Sequence, residues 1–267
     1  MQRSPLTKQP TGLGRLWAWA ASGAVLGGLL AAVLFAPAQW LASAVNQASQ
    51  GHVVMSLARG TVWTGSAQLV LAGGDNSVGS VALPGRLEWR LRPGLSGLSV
   101  DATSPCCMVQ PLYLKIRPNF GGARVDITDH QSTWPAGLLV GLGTPWNTIR
   151  AQGTLAISAQ ALSLEWQAGR LTMAGRLQVD AQDMASRLST LKPMGSYRVI
   201  LSGGTVNQLQ LETLQGSLQL SGTGQWVGGR LRFDGLASAA PDRLDALSNL
   251  LNIIGRRDGA RAIIKVG

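Results

Sequence analysis

A mainly β fold hung from one membrane-spanning helix is what these 267 residues predict. Three observations carry that prediction. Residues 16–36, LWAWAASGAVLGGLLAAVLFA, hold no charged side chain. The remainder alternates apolar and polar residues with period two in one segment after another, the pattern of a strand with one buried and one wet face. And 34 glycines with 12 prolines punctuate those segments, which calls for short turns.

The anchor comes first. A helix over residues 16–36 rises about 1.5 Å per residue and so spans about 31 Å, against a hydrocarbon core of about 30 Å. Arg3, Lys8 and Arg15 precede it with no acidic residue among them, and no further Lys, Arg, Asp or Glu occurs until Arg59. That asymmetry keeps the N-terminus in the cytoplasm and sends the rest across. The expected layout is a cytoplasmic tip (1–15), a transmembrane helix (16–36), a juxtamembrane helix and linker (37–58) and a periplasmic β-rich domain (59–267), in a bacterial inner membrane. A cleavable signal peptide is the competing reading. It has a shorter apolar core, and here Pro37 would sit beside the scissile bond. Trp17, Trp19 and Trp40 fall near the two ends of the span, where indole rings favour the headgroup zone.

Beyond the anchor, Leu87, Trp89 and Leu91 alternate with Arg86, Glu88, Arg90 and Arg92 in the clearest strand. The grammar returns at Leu112/Leu114/Ile116, Val125/Ile127, Leu155/Ile157, Leu162/Leu164/Trp166, Leu171/Met173, Leu177/Val179, Leu209/Leu211, Leu218/Leu220 and Leu231/Phe233. Short connections make the sheet large, twisted and mostly antiparallel, with the option of curling into a half-pipe. Four short helices are expected to cover it: residues 38–50, 134–142, 182–191, and a run opened by Pro241 that places Leu244, Leu247, Leu250, Leu251 and Ile254 on one face before Gly255. Trp63, Trp89, Trp166 and Trp226 sit at strand positions, where packing into a core is the default for an indole.

Composition narrows the function. The net charge is +10, of which Arg3, Lys8 and Arg15 contribute three. The remaining cations are scattered singly, apart from Arg256-Arg257, so a solvated basic surface fits better than nucleic-acid recognition. The two cysteines are neighbours, Cys106 and Cys107, and cannot build a disulfide framework. They read as two half-buried thiols after Pro105, with a vicinal disulfide as the alternative open to an oxidising compartment. Neither cysteine belongs to a zinc-ligand pattern. His52 and His130 are the two histidines, and Asp129-His130 followed by Ser132 lacks a G-x-S-x-G elbow. The pairs Gly73-Gly74, Gly121-Gly122, Gly203-Gly204 and Gly228-Gly229 fit no phosphate-loop pattern and read as turns. The chain is not read as an enzyme, and no catalytic, metal or cofactor site is assigned.

Particular residues then suggest a family. The anchor followed by Gly60-Thr-Val-Trp63-Thr-Gly65-Ser-Ala67, then Leu87-x-Trp89-x-Leu91, then Leu142-Gly143-Thr-Pro145-Trp-Asn147, then Leu250-Leu251-Asn-Ile-Ile-Gly255-Arg-Arg-Asp-Gly259, resembles type II secretion system protein N over nearly the whole chain. The resemblance implies a bitopic inner-membrane accessory subunit of the general secretion pathway, without enzymatic activity. Its partners would be the inner-membrane platform proteins and the outer-membrane secretin. It supplies no ligand residues to carry over. From the charged turn before the last strand, Arg256, Arg257 and Asp258 are the candidate partner contacts. A looser likeness, in architecture alone, is to the AsmA-like envelope proteins, and it implies the alternative of lipid binding or transfer along an apolar sheet face.

Overall fold

The computed structural model describes residues 12–73 and 79–267, so Arg3, Lys8 and Gly74 lie outside the described residues. Helix α1 (Gly12–Leu34) contains the span Leu16–Leu34, none of which is buried in the protein. Helix α2 (Ala38–Ala48) follows at once. Then come β1 (Val53–Gly60), β2 (Thr64–Ala72), β3 (Ser80–Ala82), β4 (Leu87–Gly94), β5 (Gly97–Thr103), β6 (Leu112–Asn119), β7 (Gly122–Ile127) and β8 (His130–Pro135). A 3₁₀ turn (Ala136–Leu142) and α3 (Trp146–Ile149) lead to two long strands, β9 (Gln152–Gln167) and β10 (Arg170–Ala185). The chain closes with β11 (Gly195–Ser202), β12 (Gln208–Gly216), β13 (Leu218–Val227), β14 (Arg230–Ala239), α4 (Leu244–Ile254), β15 (Arg256–Asp258) and β16 (Arg261–Val266).

All the strands join one 16-stranded sheet in the order β1-β2-β4-β5-β6-β7-β9-β10-β11-β12-β13-β14-β16-β15, with β3 on β2 and β8 following β7 along the same edge of β9. Every pairing is antiparallel, as the short connections require. Because the strands alternate direction, their connections divide between two ends. At one end, β1 turns into β2 through Thr61–Trp63, and the β4–β5, β6–β7, β9–β10 and β13–β14 connections are tight hairpins. The last of these places Gly228 and Gly229 at φ 59° and 81°, the left-handed pair that a two-residue turn needs. At the other end lie the long connections: 104–111, 136–151, 186–194 and the α4 segment.

The cores follow that division. The largest gathers Leu155, Met184, Met194, Tyr197, Leu218, Ala237 and Ala262, at the long-connection ends of their strands, under Leu247, Leu250 and Leu251 of α4. A second, smaller one packs Leu83 with Cys107 and Leu138 at the same end. The third sets α2 on β1, β2 and β4 through Ala38, Met55, Ala67 and Trp89. Flat aromatic packing fills the sheet where side chains are missing. The Phe233 ring lies where Cβ atoms on Gly222, Gly224 and Gly235 would stand, and Trp89 covers Gly65 in the same way.

Three expectations need correction. Residues 182–191 are not a helix: β10 runs on to Ala185. After it, the Ser186 and Ser189 hydroxyls accept the amides of Leu188 and Leu191, and such local bonds compete with a helical ladder. Residues 134–142 divide into the end of β8 and the 3₁₀ turn, because Pro135 is extended and Gly141 packs directly against the Leu71 backbone. Of the four strand tryptophans, Trp89 is the buried one, while Trp166 is half-exposed at a hairpin. The helices over α2 and α4 stand where periodicity put them.

Candidate functional site

The motif Gly60-Thr-Val-Trp-Thr-Gly-Ser-Ala67 proves to be the joint between α1 and the sheet. Its turn is held by the Thr61 and Thr64 backbone pair, 2.9 Å apart, and Pro37 bridges to Thr61. The Val62 amide donates to the Ala36 carbonyl at 2.8 Å, and the Trp63 indole Nε1–H donates to the Val33 carbonyl at 2.8 Å. Those carbonyls belong to the last turn of α1 and the residues after it, where the Val33 carbonyl is otherwise met only by a long bond of 3.4 Å from the Ala36 amide. Trp89 Nε1–H donates to the Val62 carbonyl at 3.0 Å from the other side. Gly65 is required because Trp89 and two backbone carbonyls occupy the place of a side chain. Arg86 then ties the bulge in β1 to β2, reaching the Leu57 carbonyl at 2.8 Å and the Ser66 carbonyl at 3.0 Å.

At the opposite edge of the sheet, Arg256, Arg257 and Asp258 form β15, the outermost strand, paired with β16 through a turn at Gly259. All three are exposed. They are not equivalent. Arg257 turns inward onto α4, donating to the Gly259 carbonyl at 2.8 Å, the Ser248 carbonyl at 3.2 Å and Asn252 Oδ1 at 3.4 Å. It therefore binds the end of α4 to the hairpin. Arg256 and Asp258 make no side-chain hydrogen bond or ion pair among the described residues and face solvent. Charged side chains on an edge strand also discourage indiscriminate strand pairing.

The cysteines are joined to each other rather than free, which corrects the reading as two thiols. Their loop is a tight turn in which the amides of Cys107 and Met108 both donate to the Ser104 carbonyl, at 3.0 and 2.9 Å. Cys107 is buried under Leu83 and Leu138, and its carbonyl accepts the Thr133 amide at 2.8 Å. The disulfide, Asp129, His130, Ser132 and Gln160 line a cleft of about 730 Å³. Burial pushes the His130 imidazole pKa below its ordinary value, and its Nε2 has no hydrogen-bond partner among the described residues. Asp129 accepts the Ala161 amide at 2.7 Å, closing the bulge in β9. His52 stands elsewhere, its Nδ1 2.8 Å from the Ser49 carbonyl at the end of α2.

On the wet face, Arg198 makes a two-pronged contact with Asp180, at 2.7 and 2.9 Å, and lies 3.9 Å from Glu212. The three residues step across β10, β11 and β12 in register. The guanidinium holds the Asp180 carboxyl below the usual carboxylate range.

Taken together, these features define a large antiparallel β-sheet protein with an N-terminal helix long and apolar enough to span a membrane, clasped to the first turn of the sheet. The family description for type II secretion system (T2SS) protein N matches residues 51–264, and the chain belongs to that family. No curated protein and no solved structure matches it. The match contains the Gly60–Ala67 joint and the Arg256–Asp258 edge. Sequence reading singled out both segments as distinctive. It missed the bonds from Trp63 and Val62 to the end of α1, since α2 and β1 separate them in sequence and nothing local marks the contact.

Proposed function

We propose that this chain is a single-pass inner-membrane subunit of the type II secretion machine, with its N-terminus in the cytoplasm and its sheet in the periplasm. There it acts through protein–protein contacts in the export of folded proteins across the outer membrane. The observation that carries the reading is the family match over residues 51–264. The clasp between α1 and the β1–β2 turn supports it, since a tethered subunit that must present a surface at a fixed place gains from a rigid joint. The partners are the platform proteins of the inner membrane and the outer-membrane secretin. The contact falls on β15, with Arg256 and Asp258 facing outward and Arg257 holding the strand to α4.

Crosslinking in secreting cells tests this without presupposing the partner. A photoreactive residue at Arg256 should capture a secretion subunit, and the same photoreactive residue combined with Asp258→Arg should lose that adduct while keeping its thermal unfolding midpoint. An unchanged pattern of adducts and unchanged secretion in the variant would remove the contact from β15.

A further inference from the structure

The end of the sheet joined to α1 carries a set of exposed apolar side chains at its hairpin tips. β1 runs into the turn that holds Val33 and Ala36, and β4, β6, β9 and β13 run in the same direction. Their hairpins therefore lie at the same end of the sheet as the β1–β2 turn that holds α1. At those tips Leu95 is wholly exposed, Phe120 is 98% exposed, and Trp166 and Leu171 flanking the Ala168-Gly169 turn are 52% and 53% exposed. The turn at Phe120 is held open by its own geometry: the Phe120 amide donates to Asn119 Oδ1 at 2.8 Å, leaving the ring in solvent. Large apolar groups clustered at one end of a domain mark a binding surface.

Charge points to the occupant. Beside Phe120, Arg117 and Arg124 are balanced by Asp126, at 3.7 and 2.8 Å, and by Glu165, which lies opposite Arg124 in the strand pair, so the positive excess comes from the neighbouring tips. Arg170 at the neighbouring tip, and Arg230 two hairpins further on, make no ion pair among the described residues. Apolar tips flanked by arginines without an ion pair suit a bilayer interface with anionic lipid, where the rings enter the headgroup zone and the cations meet lipid phosphate. The bilayer is also the surface already fixed at this end, because α1 projects from the sheet with none of its span buried in the protein. We infer that the hairpin tips at Leu95, Phe120 and Trp166–Leu171 rest on the anionic surface of the membrane that α1 crosses. The sheet is thereby held at a second line of contact. The inference stands apart from the secretion role, which its test does not involve.

The test uses the full chain with Cys106 and Cys107 replaced by serine, reconstituted in vesicles of phosphatidylethanolamine and phosphatidylglycerol. One environment-sensitive fluorophore is placed on Phe120→Cys and, in a second sample, on Val109→Cys. Val109 is equally exposed but lies at the opposite end of the strands. Emission from position 120 should be blue-shifted and quenched by spin-labelled lipid, with the shift reduced in phosphatidylcholine vesicles or at high salt, while position 109 stays water-like. Water-like emission at both positions, or equal quenching at both, overturns the inference. A blue shift at 120 without lipid quenching also overturns it, since it would place a protein or a second copy there.

Discussion

The two ends of the same strands are built to opposite rules. On β9, Leu155 at the long-connection end is 8% exposed and Trp166 at the hairpin end is 52% exposed. On β10, Met184 is buried while Leu171 stands open. The alternation along each strand is continuous, so the difference comes from what lies over it. At the far end, α4, the 3₁₀ turn and the disulfide loop supply a lid. At the end joined to α1, α2 covers β1, β2 and β4, but from β5 to β14 the connections are too short to fold back over the sheet. The lesson is that along β9 and β10 the packed core lies at one end and open apolar surface at the other, and the open end is at the same end of the sheet as the α1 joint.

If this is right, truncation should cost most under α4. Leu250→Ala removes a side chain that is 2% exposed, and the expected loss is about 3 kcal/mol of unfolding free energy, read from denaturant midpoints. Leu95→Ala at a bare tip should change it by less than about 0.5 kcal/mol. Comparable losses at the two positions would erase the distinction between the ends.

Next in size is the glycine platform. Gly235→Val puts branched carbon where the Phe233 ring and the Ser221 carbonyl stand, and the expected cost is about 2 kcal/mol, seen as a lowered thermal midpoint. A neutral result would mean the ring is free to lift from the sheet. A smaller effect belongs to the wet face. The Asp180 carboxyl has a folded pKa held below its unfolded value of about 3.9, so its contribution is complete above that value and is lost as pH falls through the folded pKa. Asp180→Asn should lower stability by about 1 kcal/mol at neutral pH and narrow its gap from the parent below pH 4, measured by urea titration at several pH values. A gap that stays constant down to pH 2 would deny the ion pair a role.

Much of this division was legible in the sequence, and the reasons differ by element. Period-two alternation marks strands such as β4 and β9 plainly, and the aliphatic spacing of α4 marks a helix with one buried face. Alternation does not say which half of a strand will be covered, because cover comes from segments distant in sequence: Leu247 in α4 lies over a core that includes Leu155. The helix expected over 182–191 shows the reverse failure. Met184, Leu188 and Leu191 have helical spacing, yet the serine hydroxyls satisfy the backbone locally and Met184 remains in a ladder with Gly195. Arg256, Arg257 and Asp258 were visible as a charged cluster. That Arg257 is spent on α4 depends on Ser248 and Asn252 and appears only once the helix is docked.

Both the edge contact and the membrane-resting tips require that the chain cross the bilayer once, with the sheet on the opposite side from the N-terminus. Thiol labelling decides this directly. In a background with Cys106 and Cys107 replaced by serine, Ser4→Cys and Val109→Cys are exposed in turn to a membrane-impermeant maleimide on intact spheroplasts. The account predicts labelling at position 109 and protection at position 4 until the membrane is opened with detergent. Labelling at 4 with protection at 109 would contradict it.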